Sequence, residues 1–90
     1  MLVLPAELTH AQAAASVRML AQGLRSQTDA AVVADASALA KFDSSALAVL
    51  LECRREALAQ GKTFSVRGLP ARLRELAAVY GVGELLPAAP

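Results

Sequence analysis

Phe42-Asp43-Ser44-Ser45-Ala46-Leu47-Ala48-Val49-Leu50-Leu51 reads as a turn that opens directly into a helix. The first N–H groups of a helix have no partner inside it and carry the positive end of its macrodipole. Asp43 can accept from those donors as an N-cap, after which the apolar residues from Ala46 onward wind onto a core. Ser44 and Ser45 are left beside bare amides. There a hydroxyl can bond a partner, accept a phosphate, or simply help to cap.

The helix is expected over Ser44 to Gln60, with Leu47, Leu50, Leu51 and Leu58 on one stripe and Gly61 as the C′ residue that ends it. At about 100° per residue, Val49 falls roughly 160° around from Leu47. It is therefore expected on the solvent side near Ser45, Glu52 and Glu56, as an apolar residue open to contact. Arg54 falls near the core stripe and has to extend its charge outward or pair it.

Upstream, Ala30-Ala31-Val32-Val33-Ala34 is a continuous apolar run bounded by Asp35, the pattern of a central strand covered on both faces. Downstream, Thr63-Phe64-Ser65-Val66-Arg67 alternates with period two, placing Phe64 and Val66 on one face of a strand closed by Gly68. Pro70 suits the first position of a third helix, whose stripe of Leu73, Leu76, Ala77 and Tyr80 stops at Gly81. Ala14, Val17, Leu20, Ala21 and Leu24 recur at helical spacing between His10 and Arg25, with Thr9 as cap. Leu2 to Leu4 before Pro5 suits an edge strand, since proline cannot donate to a ladder. Leu85 and Leu86 are expected to pack back on the body before the tail frays. This alternation predicts a single α/β domain over residues 1–90, with helices layered over a small, largely parallel sheet.

Hydrophobic residues make up 56% of the chain, yet the longest uninterrupted apolar run is Ala46 to Leu51. That is far short of the roughly 20 residues needed to span a bilayer. Direct membrane insertion is not expected, and the N-terminus has neither the basic segment nor the apolar length of a signal peptide, so the cytoplasm is the expected compartment. The single cysteine, Cys53, has no partner for an internal disulfide and reads as a small buried residue. A net charge of +1 gives no general attraction to nucleic acid, and the aromatics Phe42, Phe64 and Tyr80 are too few for a base-stacking platform.

Enzymatic motifs are missing. The only histidine, His10, lies at the start of the first helix, and no G-x-S-x-G elbow surrounds Ser44 or Ser45. One Cys and one His cannot build a four-ligand zinc site. There is no G-x-x-x-x-G-K-[ST] or G-x-G-x-x-G loop for a nucleotide cofactor. Asp35 and Asp43 sit where Asp serves as a turn or cap residue, which accounts for both without a paired-carboxylate site. A binding or regulatory module without catalysis, cofactor or metal is the expectation by elimination.

Val32-Val33-Ala34-Asp35-Ala36-Ser37, a short spacer and then Phe42 to Leu51 resembles the STAS domain family. The likeness continues through Gly61-Lys62-Thr63-Phe64-Ser65-Val66-Arg67-Gly68-Leu69-Pro70 to Leu73, Leu76, Ala77, Tyr80, Gly81 and Val82, nearly the whole chain. The family includes anti-sigma factor antagonists and the MlaB-like subunits of phospholipid-transporting ABC systems. The resemblance implies a small mixed β-sheet with helices mainly on one side, three main helices and a short C-terminal segment. It also implies a functional hydroxyl at the start of the second helix, which is Ser44 here.

The short chain and the Leu69-Pro70 to Tyr80-Gly81-Val82 segment look more like the lipid-transport branch. That branch implies a non-enzymatic accessory subunit that binds the cytoplasmic ATPase of a phospholipid transporter serving outer-membrane lipid asymmetry. Such a chain reaches the inner face of the cytoplasmic membrane only through its partner. The expected contact surface is Asp43, Ser44, Ser45, Val49, Glu52 and Arg55. The alternative is an anti-sigma factor antagonist whose partner is an anti-sigma factor kinase that phosphorylates Ser44. Ala46 stands where the family usually has glycine, and its methyl is expected to obstruct a close partner backbone, which counts against the phosphoswitch.

Overall fold

A computed structural model of the chain describes residues 1–89. Its elements in order are β1 (Leu2–Val3), β2 (Glu7–Leu8), α1 (His10–Ser26), β3 (Ala31–Asp35), β4 (Lys41–Phe42), α2 (Ser45–Ala59), β5 (Thr63–Arg67) and α3 (Ala71–Val79), then a 3-10 turn at Gly83–Leu85. The α/β alternation and the three helices are as the sequence predicts. The two-residue strands β2 and β4 were too short to leave a pattern.

One sheet has the order β1-β3-β5, and β2 and β4 form a separate parallel pair. Register places Leu2 beside Ala34, and Val32 and Ala34 beside Phe64 and Val66. These residues are all buried and form the inner face. The reverse face carries Val3, 62% exposed, and the half-buried Val33 and Ser65. The expectation that β3 is covered on both faces is therefore corrected: its burial alternates, as in a sheet whose helices lie on one side. Small side chains made the exposed positions read as part of a continuous apolar run.

The inner face, α1 and α2 share one core with Leu4, Leu8, Leu20, Leu24, Leu50 and Leu73 fully or almost fully enclosed. In α1 the buried stripe is Ser16, Leu20 and Leu24, with Ala13 and Val17 packed beside it, while Ala14 is exposed. The tail does not fray where expected. Leu86 is buried, and Ala88 pairs with Val66 as a further edge of the sheet, with Val66 N–H on the Pro87 carbonyl at 2.8 Å.

Both α2 and α3 end in Schellman turns. After α2, Gly61 at φ +73° lets its N–H bond the Leu58 carbonyl (3.0 Å) and the Lys62 N–H bond the Ala57 carbonyl (2.9 Å). After α3, Gly81 and Val82 repeat the pair on Ala78 (3.0 Å) and Ala77 (2.9 Å). The chain therefore leaves α3 at Tyr80, which is 59% exposed although its spacing aligns it with Leu73 and Ala77. The expected placement of Tyr80 on the buried stripe is corrected for that reason.

Candidate functional site

Hydrogen bonding starts α2 at Ser45, but Ser44 already has helical dihedrals (φ −62°, ψ −18°). Asp43 is thus the residue that caps, as expected: its Oδ1 accepts from the Ser45 N–H at 2.8 Å. Its second oxygen, Oδ2, accepts from the N–H of His10, the first residue of α1, at 3.1 Å. One carboxylate therefore ties the starts of α1 and α2 together, where both macrodipoles favour negative charge. The Ser45 and His10 amides hold the Asp43 carboxyl below its usual range. At the α1 start, Gln12 Oε1 also accepts from the Thr9 N–H at 2.8 Å.

Because Asp43 serves the amides, the hydroxyl of Ser44 is left over. Ser44 is exposed, and its side chain makes no capping bond. Ser45 is half-buried beside it. About two turns further on, Glu52 is half-buried and Arg55 exposed, and they pair at 2.8 Å. Asp43, Ser44, Ser45, Glu52 and Arg55 thus share the accessible side of α2.

Val49 does not join them. It is 1% exposed and belongs to the core, which corrects its expected place on the solvent face. The stripe of α2 is centred on Ala46, Leu50, Cys53 and Ala57, flanked by Leu47 on one side and Val49 on the other. Taking Leu47 as the centre rotated the expected stripe by roughly one residue, about 100°. For the same reason Leu58, expected inside, is 47% exposed, and Leu51 only packs against the core edge. Ala48, Leu58 and Ala59 are therefore the exposed apolar residues of this helix. The small residues Ala46, Cys53 and Ala57, taken as a stripe, mark the true centre.

Ala46 is fully buried, so its methyl points into the core rather than towards an approaching partner. The expected obstruction is corrected accordingly. Burial pushes the Cys53 thiol up to about 11, which keeps it protonated and unreactive at neutral pH. Among the described residues no group of three or more His, Cys, Asp and Glu side chains is placed to hold a metal ion. Nor is any helix there long and apolar enough to cross a membrane.

The site continues past α2. Phe42 and Asp43, with Arg72, Glu75, Leu76 and Val79 of α3, line an open depression of about 320 Å³. The sequence offered little sign of it, because β4 and α3 are far apart in the chain and meet only through the fold.

A small parallel sheet with helices on one face, and an exposed hydroxyl at a carboxylate-capped helix start, define a binding module of the STAS class. A family sequence model described as "Mlab, STAS domain" matches residues 1–87, and the chain belongs to the STAS domain family. STAS domains are in general non-catalytic binding domains with regulatory or interaction roles. Among curated proteins no match was found.

Proposed function

We propose that this protein is an accessory subunit that docks on the cytoplasmic ATPase of an ABC-type phospholipid transporter, using the start of α2 and its outer face. The observation that carries the reading is Ser44: its hydroxyl is exposed and uncommitted on a chain whose family match is described as Mlab. Asp43 fixes the backbone on which Ser44 stands, so the hydroxyl is presented at a defined height above two helix starts. Ser45, Glu52 and Arg55 surround it, and Ala48 supplies a low apolar contact beside it. The decisive measurement is co-purification with the ATPase. Ser44→Arg is expected to abolish it with the far-ultraviolet spectrum and thermal midpoint unchanged; undiminished binding would refute the interface.

A second reading has its own support. With Ala46 turned inward, nothing beside Ser44 blocks a kinase, and a phosphate there would gain from two helix starts while meeting the Asp43 charge. In an anti-sigma antagonist, mass spectrometry of protein from its own cell would find a stoichiometric phosphorylated fraction at Ser44. An accessory ATPase subunit is expected to show none.

A further inference from the structure

The depression beside Asp43 presents apolar surface that folding leaves in water. Val79, on its wall, is the most exposed large hydrophobic side chain among the described residues at 79%, and its neighbour Tyr80 is also exposed. A single exposed valine is ordinary, but here it adjoins the half-buried Phe42 and Leu76, so water meets a connected apolar surface. The volume, about 320 Å³, equals that of roughly ten liquid waters, room for more than one partner side chain.

The charges around it are unequal. The Arg72 guanidinium lies 5.9 Å from the centroid of the Phe42 ring, so the cation is already engaged with an aromatic face. Glu75 has no ion pair among the described residues, where the pairs formed are Lys41 with Glu7 and Arg55 with Glu52. Asp43 brings a second carboxylate to the same rim. An acidic segment would meet like charge here, whereas a basic one finds complementary charge around an apolar floor.

We propose that this depression is the apolar anchor of the docking surface, and that it receives an apolar side chain of the ATPase flanked by a lysine or arginine facing Glu75 and Asp43. The inference rests on the docking reading above and adds the chemistry of the partner. Polar contact at Ser44 and apolar burial against Val79 then lie on either side of Asp43, as parts of one interface.

The test is equilibrium binding of the full chain to the purified ATPase subunit. Val79→Asp is expected to weaken binding about tenfold or more while lowering the thermal midpoint by only a few degrees, since the side chain is largely in water and the folding cost is that of a carboxylate at the last residue of α3. Glu75→Lys is expected to weaken it by a similar factor and to reduce its dependence on salt. Val3→Asp, on the reverse face of the sheet and 62% exposed, is expected to bind as wild type. If Ser44→Arg abolishes binding while Val79→Asp and Glu75→Lys bind normally, the anchor is wrong and the docking reading stands. Tighter binding by Glu75→Lys would overturn the basic occupant, and a wild-type chain that does not bind the ATPase at all would overturn both readings.

Discussion

At one end of the α1–α2 pair a carboxylate is fastened to two helix starts; at the other an ammonium group is fastened to a helix finish. Asp43 accepts from the amides of His10 and Ser45, and Lys62 donates through Nζ to the carbonyls of Gln27 and of Leu24, the latter at 3.5 Å. Each charge has the sign that its helix end favours. The Schellman turn after α2 is what aims Lys62 back at the end of α1, just as the β4–α2 turn aims Asp43 at its start. The two ends differ in what is left over. The Lys62 end is half-buried, and its surplus group is the unpartnered Gln27 Oε1, an acceptor shut away from solvent. At the Asp43 end the surplus is the Ser44 hydroxyl, in water and free to meet another molecule. The same electrostatic fastening serves stability alone at one end and leaves chemistry available at the other.

Removing the Asp43 carboxylate is the strongest way to break this comparison. Asp43→Ala frees the first amides of both helices, and its thermal midpoint is expected to fall further than that of any single change at the Lys62 end. A larger loss from Lys62→Met would reverse the ranking. Acid titration sharpens the point, because the folded-state pKa of Asp43 lies below the ordinary 3.8. A depressed carboxyl contributes stability that is complete above its unfolded pKa and is lost as pH falls through the folded one. The difference in midpoint between wild type and Asp43→Ala is therefore expected to hold above about pH 5 and to close as pH falls below about 4. Asp35, also held low by its hydrogen bonds from Ser37, is present in both proteins and cancels. A gap that persists undiminished at pH 3 would show that the carboxylate charge is not what matters.

These two ends were not equally legible in the sequence. The Asp43 cap could be read because capping is local: an Asp, two serines and an apolar run suffice. Its second bond, to His10, could not, since nothing local pairs residues 33 apart in the chain. Lys62 was hidden for the same reason, although Gly61 announced the turn that places it. Periodicity located α2 but not its rotation. Ala46, Cys53 and Ala57 bury completely while looking unremarkable beside Leu47, Leu51 and Leu58, so Val49 was assigned to the wrong side. In a small core, the closest packing can fall on small residues rather than large ones, and a stripe drawn through leucines is biased towards its edges.

Lys62→Met keeps most of the side-chain volume and removes the charge. The helix-end interaction it loses is worth roughly 0.5–1 kcal/mol, a fall in midpoint of about 2–8 °C for a domain of this size. Hydrogen exchange localises the effect: faster exchange is expected for amides in the last turns of α1, with the first turn unaffected. Exchange that quickens equally along the helix would mean that Lys62 acts on the whole fold rather than on its end.

The smallest expected effect on stability is that of Ser44→Ala, and it is also the most discriminating. Asp43 already satisfies the Ser45 amide, so the Ser44 hydroxyl carries no capping bond, and alanine is a good residue inside a first helical turn. Thermal unfolding is expected to shift by less than about 0.5 kcal/mol in either direction. If the protein docks as proposed, affinity for the ATPase is expected to fall nonetheless, because losing the hydroxyl would leave its partner group in the complex unsatisfied. A loss of stability approaching that of Lys62→Met, with affinity unchanged, would return Ser44 to the role of a helix cap. It would also make the two ends of the helix pair alike.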